Sequence, residues 1–121
     1  MPLPEPHDLD PEALENLRAL GEDGDDTFLR EIIGIYLADT PLRLADIRNA
    51  AAKGDSGLYT RSAHTIKGSS SNVGALAVRA IAEQLEKRSR TESHADLEPL
   101  LGDLERAFAR AATALRGVAG V

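Results

Sequence analysis

The chain has no cysteine and no tryptophan, and only two phenylalanines and two tyrosines among its 121 residues. Without thiols there is no disulfide framework, no thiolate metal site and no thiol nucleophile. Such a composition is compatible with a reducing cytoplasm, which is the expected location. With so few aromatics the core must be built from Leu, Ile, Val and Ala, which suits helix packing. No apolar run approaches the ~18 residues of a transmembrane span, so no membrane insertion is expected. The Pro-rich, acidic opening lacks the basic start and apolar centre of a secretory signal. A basic excess is missing as well: the net charge is −6, which disfavours nucleic acid as a partner. There is no period-2 run, no Asn-Gly hairpin signal and no internal repeat.

What is present is helical spacing, in a chain of a length that suits one domain with a single core. Residues 1–9 read as a flexible lead. Asp10 and Pro11 then open a short helix as N-cap and first helical residue, with Leu14, Leu17 and Leu20 as its stripe and Gly21 to Gly24 as its stop. A long helix begins at Asp25 or Asp26 and carries Phe28, Leu29, Ile32, Ile33, Tyr36 and Leu37. Pro41 removes a backbone bond and crowds the carbonyl of Leu37, so a kink or short break is expected there. The pattern resumes at Leu44, Ile47, Ala50 and Ala51 and stops at Lys53-Gly54, with Gly54 in the left-handed conformation.

Asp55 or Ser56 caps a third helix that ends near Asn72 to Gly74. Gly74-Ala75 opens a fourth, with Val78, Ile81, Ala82 and Leu85 on one stripe and a charged, solvated far end from Glu86 to Arg90. Asp96 caps the last helix, placing Pro99 in its first turn. Leu97, Leu101, Leu104, Phe108, Ala111 and Leu115 form its bundle-packing seam, and Gly117 and Gly120 mark its end. The predicted fold is all-α: an antiparallel up-down-up-down four-helix bundle over residues 10–117, a short N-terminal helix across one end, and a frayed tail over 118–121.

The chain is organised around Ala63-His64-Thr65-Ile66-Lys67-Gly68-Ser69-Ser70-Ser71-Asn72-Val73-Gly74. As a helix, it puts His64, Lys67, Gly68 and Ser71 on one face, with Thr60 and Arg61 one turn earlier on the same side. Leu58, Ser62, Ile66, Ser69 and Val73 take the opposite side, so His64 points away from the core. A solvent-exposed imidazole has an ordinary pKa near ~6.5, so much of it is neutral at pH 7 and can take a phosphoryl group. Lys67 would supply positive charge beside the transferred oxygens, and Gly68 would leave room for an approaching partner. On spacing alone a plainer reading is favoured: Gly68 as the C-cap, Lys67 complementing the helix dipole, His64 solvated.

The run His64-Thr65-Ile66-Lys67-Gly68 through Gly74 resembles the signature of histidine phosphotransfer (HPt) domains at every position: His, any residue, an aliphatic, Lys, Gly, small and polar residues, an aliphatic, Gly. The resemblance extends over roughly residues 10 to 117 in helix order. It implies a phosphoryl carrier, not an enzyme. His64 would accept a phosphoryl group, by analogy on Nε2, from a receiver-domain aspartate and pass it to a response-regulator aspartate. The partners implied are receiver domains of response regulators and of a hybrid sensor histidine kinase. They would supply Mg²⁺, and the chain has no cofactor of its own. Thr60, Arg61 and Ser71 would border the docking face.

In the family a polar residue of the next helix often lies near the ring. Here the candidate is Glu86, a departure from the amide of some members, with Gln84 second; both could equally be ordinary surface residues. A non-phosphorylated helical adaptor would use the same bundle. A metal bundle is disfavoured because the positions flanking His64 hold Thr60, Arg61, Lys67 and Gly68, and His7 and His94 lie outside helix cores. A phosphate loop or serine elbow would need Gly-Lys-Ser/Thr or Gly-x-Ser-x-Gly. A kinase dimerisation domain usually has an acidic residue after its His, where this chain has Thr65. A monomer is therefore expected.

Overall fold

The structure, a computed structural model, describes residues 9–21 and 25–120. Most of the predicted lead, the Glu22–Gly24 part of the first stop signal and the last residue of the predicted tail lie outside the described residues. Five helices follow in order: α1 (Pro11–Ala19), α2 (Thr27–Lys53), α3 (Ser56–Asn72), α4 (Leu76–Arg88) and α5 (His94–Ala119). There is no strand among the described residues. α3 packs between α2 and α4, and α5 closes the ring against α4 and α2, while α1 lies against α2. No helix among the described residues is long and apolar enough to cross a membrane.

The caps explain the boundaries. Asp10 accepts from the Glu12 N–H at 3.0 Å, Asp55 from the Leu58 N–H at 3.0 Å, and Ser93 from the Asp96 N–H at 3.1 Å. Each satisfies an amide that the first helical turn leaves without a partner. Gly54 ends α2 with φ 70°, a conformation open to glycine at little cost. Gly74 turns the chain between α3 and α4 with φ 69°. A Cβ there would stand 2.9 Å from the Ala13 Cβ, and the Gly74 carbonyl accepts from the Asp10 N–H at 2.8 Å. That contact seats the start of α1 on the α3–α4 turn.

Leu29, Ile33 and Ile47 of α2, Tyr59 and Ile66 of α3, Leu85 of α4 and Leu97, Leu101, Leu104 and Leu115 of α5 are fully buried. Burial of each such aliphatic side chain is worth about 1.5–3 kcal/mol, so packing outweighs local propensity. Three departures from the sequence reading follow from this. α2 runs unbroken through Pro41, because Tyr36 and Thr40 before it and Ile47 and Ala50 after it continue one buried stripe. α5 begins at His94, capped by Ser93 and not by Asp96, so Pro99 falls beyond the first turn. The His94 ring stacks on Tyr59, with centroids 4.4 Å apart, and that burial draws the first turn into the helix. His94 therefore belongs to a helix packed on the core.

At the other end α5 passes Gly117 and stops at Ala119, with Gly120 left-handed at φ 76°. Ala119 is buried and Val118 packs on the core, so these two residues are not a frayed tail. In α3 it is Tyr59, not Leu58, that fills the core; Leu58 is half-buried.

Candidate functional site

α3 buries Tyr59, Ser62, Ala63, Ile66 and Ser70. That face fixes the rotation of the helix, and His64 is turned outward with 64% of its side chain exposed. Gly68 is inside α3 and not at its end. A Cβ built on it would meet nothing within 4 Å, so neither backbone conformation nor packing in this chain calls for glycine there. Glycine in a helix interior costs about 1 kcal/mol against alanine, and what it leaves here is open space one turn from His64.

The end of α4 lies across from His64. The sequence reading took this charged end as solvated, but Glu86 and Ser89 are buried. The Glu86 side chain is only 10% exposed. Its Oε2 is 2.8 Å from His64 Nδ1, its Oε1 is 2.7 Å from Lys67 Nζ, and the Arg90 guanidinium is 3.5 Å from Oε2. Burial pushes the Glu86 carboxyl up, but the hydrogen bonds and charge of Lys67 and His64 outweigh it and hold the group below its ordinary value. An ionised carboxylate can only accept, so Nδ1 carries the ring proton and donates to Glu86. The lone pair of the neutral ring is then on Nε2.

A hollow of about 370 Å³ opens beside the ring, lined by Thr60, Arg61, His64, Thr65, Glu86 and Arg90. The structure thus brings together His64, Lys67, Glu86, Thr60 and Arg61 of the residues singled out from sequence. Gln84 is exposed and does not line the hollow beside the ring; two residues from Glu86, it points to another side of α4. Ser71 is exposed on the outer face of α3 but does not line the hollow. Thr60 bonds Ser89 Oγ at 2.7 Å, which ties α3 to the end of α4. Arg90 was missed; its spacing four residues after Glu86 was the available signal. Among the described residues no three His, Asp or Glu side chains converge on a common metal position.

The family model for the Hpt domain matches residues 31–116. The chain is similar to the crystal structure of histidine-containing phosphotransfer protein B (HptB) from Pseudomonas aeruginosa PAO1, with 27% identity, a TM-score of 0.82 and 97% of each chain covered. It is also similar in fold to the histidine-containing phosphotransfer protein MtHPt2 from Medicago truncatula, with 20% identity, a TM-score of 0.80, and 91% of this chain and 76% of that one covered. No curated protein matches by sequence.

Proposed function

The chain belongs to the Hpt domain family, and on that premise we propose that His64 is the residue that carries the phosphoryl group, receiving it from a receiver-domain aspartate and passing it to the aspartate of a response regulator. The family assigns the coarser role, a phosphotransfer carrier in two-component phosphorelays. The observation that carries the finer reading is an exposed imidazole whose Nδ1 is held at 2.8 Å by a buried carboxylate. A proton held on Nδ1 by that contact supports Nε2 as the attacking atom.

In the reaction Nε2 approaches phosphorus in line with the bond to the donor aspartate. Holding the ring in one orientation removes the entropy cost of aiming it. Lys67, one turn along α3, balances charge on the moving oxygens. Gly68 leaves the outer face of α3 clear for the partner, and Thr60, Arg61 and Ser71 border the docking area. The receiver brings the aspartate and the Mg²⁺ that such transfers use; this chain carries the group and does not catalyse alone. On the same reading the chain acts in the cytoplasm and as a monomer.

The test is direct. The chain is mixed with a phosphorylated receiver domain and Mg²⁺, and the product is examined for acid-labile, base-stable phosphate beside a His64→Gln control. Label on the wild type alone is expected. No label with any of several receivers would leave a silent helical adaptor as the reading of this bundle.

A further inference from the structure

The geometry points to a charge exchange at Glu86: phosphorylation of His64 turns its ring into the cation that Glu86 holds, and this releases Lys67 from Glu86 to the transferred phosphoryl group. The inference rests on the reading of His64 as the phosphoryl acceptor and goes beyond it, because it assigns Glu86 a part in where the phosphoryl group resides.

One carboxylate serves three neighbours. Oε2 takes the His64 Nδ1–H and has Arg90 at 3.5 Å; Oε1 has Lys67 at 2.7 Å. Among the described residues, the charged groups around the ring are Arg61 and Lys67 from α3, Glu86 from α4, and Arg90 from the turn after it. α2 and α5 place no titratable group on the hollow. In the form able to attack, with the Nε2 lone pair free, Glu86 faces an uncharged ring on one oxygen and Lys67 on the other.

In the transfer step the Nε2 lone pair forms the N–P bond. The P–O bond to the donor carboxylate breaks, and its electron pair stays on that oxygen. The Nδ1 proton does not move. The ring thereby gains one positive charge and bears a phosphoryl dianion, while the donor regains a carboxylate; the total charge is unchanged. Oε2 now faces an imidazolium in place of a neutral N–H, so the attraction of opposite charges is added to a hydrogen bond whose acceptor was already ionised.

At the same moment two negative charges arrive one helical turn from Lys67. Side chains three apart on a helix are neighbours, and the lysine stem is flexible with three donors at its tip. Lys67, 27% exposed, can therefore leave Oε1 for the phosphoryl oxygens without uncovering an unpaired charge at Glu86. A neutral amide at this position could hold the ring tautomer. It would hold Lys67 less firmly, and it would gain less when the ring becomes charged, because it brings a dipole where Glu86 brings a full charge. Glu86 is thus a positioning residue that also biases the phosphoryl group toward this chain.

The experiment uses the full chain phosphorylated with phosphoramidate, a donor small enough to need no docking surface, and separately with a phosphorylated receiver. Nitrogen and phosphorus NMR then follow the phosphorylated ring against pH in the wild type and in Glu86→Gln. We expect the ring to keep its Nδ1 proton to higher pH in the wild type, by roughly one unit or more. The equilibrium between this chain and a receiver should move about tenfold toward the receiver in Glu86→Gln. In the unsubstituted chain the Lys67 Nζ resonance should shift on phosphorylation and then follow the titration of the phosphoryl group. Equal ring midpoints in the two proteins, or a Lys67 resonance indifferent to phosphorylation, would overturn the exchange while leaving His64 as the carrier. No phosphohistidine from either donor would overturn both readings.

Discussion

The Tyr36 hydroxyl and Ser70 Oγ are 2.8 Å apart in the buried interface of α2 and α3. Tyr36 also meets Phe108 of α5 edge to face, with centroids 5.7 Å apart and planes at 63°. Ser70 is therefore the inward anchor of the same helix that turns His64 outward. Removing one hydroxyl takes a hydrogen bond from the other in a buried site, which costs up to about 1–3 kcal/mol, whereas removing both can be nearly neutral. Ser70→Ala and Tyr36→Phe should each lower the urea midpoint, and the double variant should lose clearly less than the sum. Additive losses would show that the pair does not set the register of α2 against α3.

Gly68 separates folding from transfer. Its Cβ position is open, so Gly68→Ala should raise stability by up to about 1 kcal/mol through helix propensity. Gly68→Gln should fold as well as the wild type but slow transfer from a receiver about tenfold or more, because a long side chain displaces the partner from its in-line position. Stopped-flow transfer and thermal unfolding of both variants check this. Unchanged transfer in Gly68→Gln would remove any role for the glycine at the docking face.

Much of this arrangement was readable in the sequence, for identifiable reasons. Helix spans followed from 3.6-residue spacing, and the starts of α1 and α3 from Asp10 and from Asp55 or Ser56, of which Asp55 is the cap, because a cap is a local interaction. What escaped depends on distant contacts. Pro41 looked like a kink or short break because the surfaces that bury the α2 stripe on either side of it belong to other helices. The early start of α5 rests on the stacking of His94 upon Tyr59, residues 35 positions apart in the chain. The choice of Glu86 over Gln84 depends on the rotation of α4 against α3, which no spacing within either helix reveals. The burial of Glu86 had the same origin, and with it the place of Arg90.

The low-lying Glu86 carboxyl makes stability depend on pH in a defined direction. Its folded value lies below the ordinary 4.5, so its contribution is fully present above that value. The contribution is lost as pH falls through the folded value, where Lys67 and His64 no longer face a carboxylate. The wild type should therefore exceed Glu86→Gln in stability at pH 7 by more than it does at about pH 3. Urea unfolding of both proteins at the two pH values checks the sign. A gap that stays constant or widens in acid would show that the carboxylate is not stabilised by its neighbours.

His64→Gln should leave folding nearly intact while removing transfer. The ring is mostly in solvent, so little apolar burial is lost. Glu86 keeps Lys67 at Oε1 and Arg90 near Oε2, so its charge is not left bare, and a glutamine amide can still donate to Oε2. An exposed substitution of this kind changes stability by about 0.5 kcal/mol or less. His64→Leu should cost more, because leucine offers Oε2 no donor and the buried oxygen loses its shortest hydrogen bond. Calorimetry of the two variants ranks them. A loss above about 2 kcal/mol in His64→Gln would mean that the Glu86 contact supports the bundle itself. The pairing would then have to be read as structural first, with the orientation of the ring a consequence of it.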